Sequence, residues 1–373
     1  MMTLFFLIIG ILAVVVESCM AGAWILARFL YRKEKNTSYE PSVSVIVPCK
    51  GVGKDFEENI QAIINQKYKD FRIIFVTDSD NDVAHILLKE KYANDKRISI
   101  VISKFIEGSS GKISALIKGV KSAGDSEVYV FADSDIKPQN TWLKNLVLPL
   151  KDEKIGATTG YRWYFPKKSG SIFLSALNMA CSLSLFFQIS NFTWGGSTAI
   201  RKEVFDKIGV IDKWRKGYSD DLILTNALRE KKYKIKFVPK CVVESPSEGD
   251  FRYIFKWQTQ QFTWIKWYYS FFWFLSIVGM SALKIATISG FILLAYGYFL
   301  PGLLMISTIF IEILYGGFAH LTYKKLMNYP KKKFSSSINY ALIMPLIFFI
   351  FAYTNLASAF KTEIKWGGRI YRK

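Results

Sequence analysis

The hydrophobic positions of the chain follow a short-period pattern from residue 41 to about residue 243. Runs of β-branched and aromatic residues with the length of buried strands occur at 43–47, 72–76, 98–102 and 128–132. Amphipathic helical stretches separate them, at 56–66, 83–92 and 113–122. This alternation predicts an α/β domain with a mostly parallel sheet. Ligands of such sheets bind beyond the carboxyl ends of the strands.

Longer apolar stretches flank this pattern. They occupy residues 3–27, 271–300, 302–321 and 338–360, and at ~1.5 Å per residue each is long enough to span a bilayer. The first contains Glu17 and is followed by Arg28, Arg32, Lys33 and Lys35. Because no basic residues precede it, we interpret it as an uncleaved anchor rather than a signal peptide, with its C-terminal end in the cytoplasm.

Two further segments are typical of a membrane surface. Residues 250–270 interleave aromatic side chains with Arg252, Lys256 and Lys266, a composition found at head-group depth. Residues 171–192 carry no charge, and we expect a helix that lies in the interface or lines an acceptor site rather than a full span. The chain thus divides into an N-terminal membrane anchor, an α/β domain, an interfacial segment and a C-terminal transmembrane region with a basic tail, at residues 1–35, 41–249, 250–270 and 271–373.

The C-terminal basic residues give conflicting signals about orientation. Lys324, Lys325 and residues 331–333 place the loop before the last apolar stretch in the cytoplasm. The tail after that stretch is also basic, although a single span should separate the two. Pro345 lies in the middle of the stretch and allows a bent or re-entrant segment. The side on which the tail emerges therefore stays open.

Charge and composition favour a membrane over nucleic acid as the partner. The 373 residues carry 50 Lys and Arg against 30 Asp and Glu, a net charge of +20, while 51% are hydrophobic. A basic excess on so apolar a chain suits anionic lipid head groups, and we expect no nucleic-acid partner. The four cysteines are scattered and only two histidines are present, which predicts free thiols rather than a disulfide framework or zinc site.

Candidate chemistry begins at Asp133 and Asp135, an Asp-x-Asp pair that follows the run at 128–132. Two carboxylates at a strand end form a hard-oxygen site of the kind that Mg²⁺ and Mn²⁺ prefer. Such a metal can neutralise a departing diphosphate. The same pair also occurs in ordinary turns, so its interpretation depends on the neighbouring motifs.

Two of these motifs favour a nucleotide ligand. Asp78 ends the run at 72–76 and could bind a base or ribose, or could only cap an Asx turn. Gly111-Lys112 begins a helix, where the lysine and the helix N-terminal amides could hold phosphate.

Two others lie in the second half of the domain. Gly195-Gly196 form a bend that lets the backbone approach a ligand, or simply a tight turn. Asp220-Asp221 begin a helix either as caps or, within a cleft, as a pair whose repulsion raises one pKa and prepares a base. A metal, cations and one base together suit glycosyl transfer from a diphosphate, and a single base predicts inversion at the anomeric carbon.

The motifs taken together resemble the family 2-type glycosyltransferases with the GT-A fold, most closely the ceramide glucosyltransferase branch. The resemblance covers nearly the whole chain and is carried by residues 47–51, Asp78, the segment that begins at Gly111, Asp133-x-Asp135, the Gly-Gly-Ser bend, Asp220-Asp221, residues 260–264 and residues 366–372.

The resemblance implies a role for each motif. The donor nucleotide would be bound by Pro48, Lys50, Gly51, Asp78, Lys112, Asp133, Gly195 and Gly196. Asp133 and Asp135 would hold the metal. The catalytic group would consist of Asp221 as the base with its neighbour Asp220, and of Gln260 and Trp264, which close over donor and acceptor.

The chain departs from this family pattern at Thr263, where relatives usually carry an arginine. Losing a bidentate cation removes an expected partner of the diphosphate. Lys266, Lys256 or Arg252 could substitute. The departure also weakens any inference that the acceptor is ceramide.

These arguments lead to one main hypothesis of function. We expect an inverting, Mn²⁺- or Mg²⁺-dependent transferase in the cell membrane that moves a hexose from a nucleotide sugar such as UDP-hexose. The acceptor would be a membrane lipid hydroxyl at the cytoplasmic face. The alternatives are a processive polysaccharide synthase, a polyprenyl-phosphate sugar synthase and an inactive lipid-binding relative.

Overall fold

A computed structural model describes residues 2–31, 38–166, 170–245 and 251–373. Arg32, Lys33 and Lys35, and the predicted domain boundary at 249–250, lie outside the described residues. The strands are β1 (Val43–Pro48), β2 (Phe71–Thr77), β3 (Ile98–Ile102), β4 (Val128–Ala132), β5 (Ile155–Tyr164), β6 (Ser197–Arg201), β7 (Lys234–Ser245), β8 (Glu363–Trp366) and β9 (Arg369–Arg372).

The helices fall into a domain set and a membrane-length set. Those of the domain are α2 (Phe56–Ile64), α3 (Val83–Tyr92), α4 (Gly111–Lys121), α5 (Trp142–Val147), α6 (Ser171–Cys181), α7 (Lys202–Lys207), α8 (Val210–Trp214) and α9 (Asp220–Glu230). Apolar or amphipathic helices flank it: α1 (Met2–Leu30), α10 (Phe251–Tyr268), α11 (Ser270–Ala295), α12 (Phe299–Leu326) and α13 (Ser337–Ala359).

The domain is built on a seven-stranded sheet of order β3-β2-β1-β4-β6-β5-β7. The first four are parallel, β6 runs antiparallel between β4 and β5, and β7 is parallel to β5. Central β-branched residues such as Val45 and Ile46 are fully buried because helices cover both faces. The predicted α/β class with a mostly parallel sheet is confirmed, and the four predicted strands lie where the apolar runs indicate.

Four helices are long and apolar enough to cross a membrane, at 2–29, 270–295, 299–326 and 337–359, among the residues described. They coincide with the four predicted stretches, so the membrane-length helices at both ends of the domain are confirmed. The uncharged segment forms a shorter apolar helix, Ser171–Phe186. That helix packs between the sheet and α13, where the Ser175 and Tyr340 hydroxyls are 2.7 Å apart.

Three of the long helices, α1, α11 and α12, form a bundle. Phe6 contacts Tyr298 at a ring-centroid distance of 6.1 Å, and Trp24 contacts Tyr323 at 5.7 Å. The helices α1 and α12 are therefore parallel, and their C-terminal ends lie on the side of the domain. The helix α11 runs the opposite way and returns through the short turn at residues 296–298.

A buried charge cluster joins the three bundle helices. Lys284 of α11 pairs with Glu312 of α12, and Glu17 of α1 lies 3.8 Å from the same ammonium group. The relative exposures of Glu17, Lys284 and Glu312 are 2%, 5% and 0%. A charge in so apolar a setting persists only when it is paired, so the cluster fixes how the helices pack together.

Replacing Lys284 by methionine should therefore destabilise the bundle strongly. The change leaves two carboxylates buried without their cation, and breaking a buried pair costs about 3–5 kcal/mol. We expect a lower midpoint of thermal unfolding in detergent for Lys284→Met but not for Lys325→Met, which changes an exposed lysine at the end of α12. The triple variant that also carries Glu17→Gln and Glu312→Gln should recover most of the loss. A Lys284→Met protein as stable as the wild type would contradict this account.

The helix α13 has both ends on the side of the domain. Near its beginning, Tyr340 stacks on His320, which lies within two turns of the domain-facing end of α12. Near its end, the Ser358 hydroxyl accepts a hydrogen bond from Trp273, in the first turn of α11. Between these points it packs against α10, for example through Phe262 and Phe351. It remains one continuous helix through Pro345.

Candidate active site

The carboxyl ends of β1 and β2 are tied together by charge. The Lys50 ammonium lies 2.8 Å from Oδ2 of Asp78, which directly follows β2. The amide of Gly51 donates to both oxygens of Asp82, at 3.0 and 3.2 Å. Gly51 has a positive φ of 62°, a conformation that glycine adopts without strain. These contacts hold Pro48, Lys50 and Gly51 beside Asp78 at one edge of the sheet.

A partly buried triad lies at the carboxyl end of β4. Lys112, the second residue of α4, places its Nζ 2.6 Å from Oδ1 of Asp133 and 3.2 Å from Oδ2 of Asp220. The side chains of Lys112, Asp133 and Asp220 have relative exposures of 14%, 23% and 8%. One lysine thus joins three motifs that lie far apart in the sequence.

Two glycines let the backbone pass beside this triad. A Cβ atom on Gly195 would lie 2.8 Å from the Lys112 ammonium, and one on Gly196 would lie 2.7 Å from Oδ2 of Asp133. At such distances the charged ends of the triad side chains would have to move. The Gly195-Gly196 bend is therefore required by close packing around the charged cluster.

Burial and mutual repulsion shape the charges of this cluster. Asp135 keeps an exposed face, but loss of solvent around its carboxyl raises its pKa, and the neighbouring Asp133 adds to the rise. Burial also raises the pKa of Asp220 to about 6, although Lys112 opposes the shift. Burial alone would lower the pKa of Lys112, but the carboxylates of Asp133 and Asp220 outweigh it and keep the ammonium charged. Asp133 and Asp135 thus concentrate negative charge at the end of β4. Such a site favours the binding of a cation.

The residues at the end of β4 fit a divalent metal of the Mg²⁺ or Mn²⁺ type. Such ions take one or two carboxylates together with substrate phosphates rather than a full cage of protein ligands. The described residues contain no cluster of three or more His, Cys, Asp or Glu that could hold a metal by itself. Asp133 and Asp135 would therefore hold it only together with a ligand.

The paired acids at the start of α9 point in different directions. Asp220 enters the triad with Lys112, and the indole of Trp214 donates to its carbonyl at 2.9 Å. Asp221 accepts from the Ser219 hydroxyl at 2.5 Å and from the Leu222 amide at 2.8 Å, both through Oδ1. Asp221 is partly exposed, whereas Asp220 is buried. The two acids are thus available for different tasks.

The helix α10 carries the Gln260-to-Trp264 motif. Trp264 contacts Trp366 and Tyr371 of the C-terminal hairpin, at ring-centroid distances of 6.3 and 6.4 Å. Gln260 lies one helical turn before it on α10 and is partly buried. Thr263 is 1% exposed and donates only to the carbonyl of Thr259 in its own helix.

The basic residues suggested as replacements at Thr263 lie elsewhere. Lys266 donates to the carbonyls of Ser358, Ala359 and Lys361, at 3.2, 2.9 and 2.9 Å, and so caps the end of α13. Arg252 and Lys256 are exposed in the first two turns of α10.

Sequence reasoning missed two groups that shape the cleft. The Arg162 guanidinium lies 4.8 Å from the Trp194 ring centroid, and its charge lowers the pKa of Asp135 against the effect of burial. The hydroxyl of Tyr268 accepts from the amides of Tyr218 and Ser219, at 2.8 and 3.2 Å, and so holds the loop before Asp220. Neither belongs to a motif, although Tyr268 follows Trp264 at helical spacing.

Two solved glycosyltransferase structures align with the chain. The mannosyltransferase PcManGT from Pyrobaculum calidifontis, in complex with GDP-Man and Mn²⁺, is 16% identical with a TM-score of 0.49, and the alignment covers 93% of this chain and 99% of that one. GalNAc-T7, solved with UDP, GalNAc and Mn²⁺, is 15% identical with a TM-score of 0.41, over 60% of this chain and 49% of that one. These likenesses are too weak to assign a function.

Two curated proteins match by sequence. The probable glycosyltransferase YdaM of Bacillus subtilis (strain 168) is 25% identical over 245 residues, 63% of this chain and 54% of that protein. Ceramide glucosyltransferase 3 of Caenorhabditis elegans is 23% identical over 225 residues, 55% of this chain and 46% of that protein. The aligned part of the chain therefore spans about half the length of these relatives.

A family model gives the decisive match. The model of glycosyl transferase family 21 matches residues 5–373, which include the α/β domain, the cleft and the flanking apolar helices. This match confirms the predicted resemblance to the ceramide glucosyltransferase branch, and it supports glycosyltransferase activity. The chain belongs to glycosyl transferase family 21.

Proposed function

We propose that the protein transfers one hexose from a nucleotide sugar to the hydroxyl of a membrane lipid. The observation that carries the proposal is the partly buried Lys112–Asp133–Asp220 triad at the carboxyl edge of the sheet. Tyr268 of α10, the helix that leads into the membrane-length helices, holds the loop directly before Asp220. A charged cleft of this kind can bind a diphosphate donor while an apolar acceptor enters from the bilayer. Similarity to a ceramide glucosyltransferase supports a lipid acceptor and a glucose-type donor.

The donor would lie across the edge formed by β1, β2 and β4. Asp78 and the Lys50-Gly51 loop would contact the nucleoside, and Lys112 would face the phosphates from the first turn of α4. A Mn²⁺ or Mg²⁺ ion held by Asp133 and Asp135 would supply Lewis-acid neutralisation of the leaving diphosphate. UDP-hexose is the donor that we propose.

The transfer step needs one base on the acceptor side. Asp221 would take the proton of the lipid hydroxyl while the hydroxyl oxygen bonds to the anomeric carbon. The bond from that carbon to the diphosphate oxygen breaks, and its electron pair leaves with the nucleoside diphosphate. Asp221 suits this role because its carboxylate is partly exposed, whereas Asp220 is engaged with Lys112. A single displacement of this kind inverts the anomeric configuration.

We also propose that the catalytic domain lies on the cytoplasmic face of the cell membrane and that α13 does not cross. Basic residues cluster at the domain-facing ends of the bundle, as at Lys324, Lys325 and 331–333, while the opposite turn at 296–298 carries no charge. The loop before α13 and the tail after it both contact the domain: Lys333 pairs with Glu244, and the Tyr371 hydroxyl accepts from the Gly111 amide. The loop and the tail would therefore share one side.

Cysteine labelling from each side of the membrane tests this arrangement. Single cysteines at Tyr296, Lys332 and Lys361 would be introduced into a Cys19→Ser/Cys181→Ser background and labelled with a membrane-impermeant maleimide. We expect Lys332→Cys and Lys361→Cys to react in inside-out vesicles and Tyr296→Cys to react only in right-side-out vesicles. Labelling of Lys361→Cys from the same side as Tyr296→Cys would show that α13 crosses.

A labelled-donor assay tests the proposed activity. Membranes with the protein are incubated with radiolabelled UDP- and GDP-hexoses, with and without Mn²⁺, and the lipid and polymer fractions are separated. We expect label in the lipid fraction, dependent on the protein and on Mn²⁺. Label in a polymer would instead identify a polysaccharide synthase, and acid-labile label on a polyprenyl phosphate would identify that class of acceptor. Absence of label from every fraction would favour the alternative that the protein is an inactive, lipid-binding relative.

A further inference from the structure

The C-terminal hairpin β8–β9 lies over the cleft rather than beside the bundle. Gly367 and Gly368, with φ values of 56° and 76°, form its two-residue turn, for which glycine is favoured because both positions are left-handed. Tyr371 packs on Tyr218 at a ring-centroid distance of 5.0 Å, and its hydroxyl accepts from the Gly111 amide at 3.4 Å. The hairpin therefore bridges α10, the loop before Asp220 and the N-terminal end of α4.

This hairpin places a cation in the cleft. The guanidinium of Arg369 lies 3.8 Å from the Phe105 ring centroid, and its Nε lies 3.7 Å from the position of a Cβ on Gly111. That Nε is buried without a hydrogen-bond partner, and in the described part of the chain Arg369 has no ion pair. A buried guanidinium donor without a partner is costly unless a ligand supplies one.

Two cavities beside Arg369 offer room for the proposed donor. A cavity of about 350 Å³ is lined by Arg369, Tyr371, Tyr218 and the loop residues 105 and 107–109. A smaller one of about 40 Å³ lies on its other side, between Arg369, Asp78 and Gly111. Arg369 thus stands between the proposed nucleoside contact at Asp78 and the first turn of α4, where Lys112 begins the phosphate side.

The cations considered above for the diphosphate do not complete its charge balance. Thr263 is uncharged and bonds within its own helix, and Lys266 caps α13. Lys112 faces the phosphate side but is shared by two carboxylates, so a second cation would have to balance the rest of the diphosphate charge. Arg369, by contrast, presents a planar set of donors that match phosphate oxygens in a bidentate manner.

We propose that Arg369 binds the diphosphate of the donor and takes the place of the arginine that is missing at Thr263. The inference rests on the proposed nucleotide-sugar chemistry. Arg369 would stabilise the negative charge that develops on the leaving diphosphate, and it neither gains nor loses a proton. The hairpin would then be part of the donor site, held in place by Tyr371 and Trp366 against Trp264.

Nucleotide binding to purified variants tests the inference. UDP and GDP, each with Mn²⁺, and the phosphate-free nucleosides uridine and guanosine would be titrated into wild type, Arg369→Ala, Arg369→Lys and Arg372→Ala. Arg372 lies on the same hairpin but pairs with Glu363 at its exposed end, and so serves as the matched control. Equal thermal stability of the variants would show that the hairpin remains folded.

We expect Arg369→Ala to weaken binding of the diphosphate about 10- to 100-fold, with nucleoside binding unchanged, because only the charged contact is lost. Arg369→Lys should recover part of the loss, since lysine keeps the positive charge but cannot make the bidentate contact. Arg372→Ala should bind like wild type. If Arg369→Ala bound the diphosphate within about twofold of wild type, the inference about Arg369 would be overturned and the proposed function would be untouched. Failure of the wild type to bind UDP or GDP would instead overturn the proposed function.

Discussion

The Asp221→Asn variant should lose turnover and keep donor binding. Removal of a general base lowers rates by about 10²–10⁴-fold, and asparagine preserves the contacts that Asp221 makes with Ser219 and Leu222. Donor affinity should stay within about twofold of wild type because Asp221 is not part of the Lys112 triad. The measurements are kcat with labelled donor and, separately, the Kd of the nucleoside diphosphate.

The neighbouring acid provides the sharpest comparison for that variant. Asp220→Asn removes one of the two carboxylates that hold Lys112, and we expect it to change donor binding as well as turnover. Asp212→Asn, which changes an exposed acid on α8, should have no effect. If Asp220→Asn abolished turnover with donor binding intact, while Asp221→Asn kept more than about a tenth of the rate, Asp220 would be the base.

The second large effect is expected at the metal pair. Asp135→Asn removes one of the two carboxylates proposed to hold Mn²⁺ or Mg²⁺, and such an ion supplies several kcal/mol of transition-state stabilisation. Transfer at saturating Mn²⁺ should then fall by about 10²-fold or more. Binding of Mn²⁺ in the presence of UDP or GDP, followed by electron paramagnetic resonance, should weaken in parallel.

A matched control for the metal pair lies two strands away from β4 in the sheet. Asp80 is an exposed acid in the loop after β2, and Asp80→Asn should retain wild-type turnover and Mn²⁺ binding. If transfer were undiminished both in Asp135→Asn and in wild type with EDTA, the reaction would not depend on a metal at this pair. Loss of Mn²⁺ binding without loss of transfer would separate the two and contradict the proposed role.

Local patterns predicted much of the fold because each strand and helix has its own signal. The runs at 43–47 and 128–132 are short, β-branched and bounded by polar residues, and they form β1 and β4 as expected. The helix α4 begins at Gly111, two residues before its apolar pattern, because Ser110 caps it by accepting from the Ile113 amide at 3.2 Å. Periodicity cannot detect such a cap.

The cleft could be predicted only in part because its contacts join distant segments. Asp78, Asp133 and Asp220 were candidates by motif, but nothing in their spacing shows that Lys112 bridges Asp133 and Asp220. The tail at 366–372 resembled a family motif, yet only tertiary packing brings Arg369 onto Phe105. The same limit applies to α13, since a uniformly apolar helix has the same composition whether it crosses a membrane or packs across its neighbours.

Reconstitution in vesicles gives the sharpest test of the proposed transfer to a lipid. The purified protein would be reconstituted in vesicles with Mn²⁺, a single labelled nucleotide sugar and a lipid fraction, and the products would be weighed by mass spectrometry and their anomeric configuration determined by NMR. We expect lipid products heavier by one hexose, with the configuration inverted relative to the donor, and none with Asp221→Asn. Products with retained configuration, or label only in a polymer, would contradict that expectation.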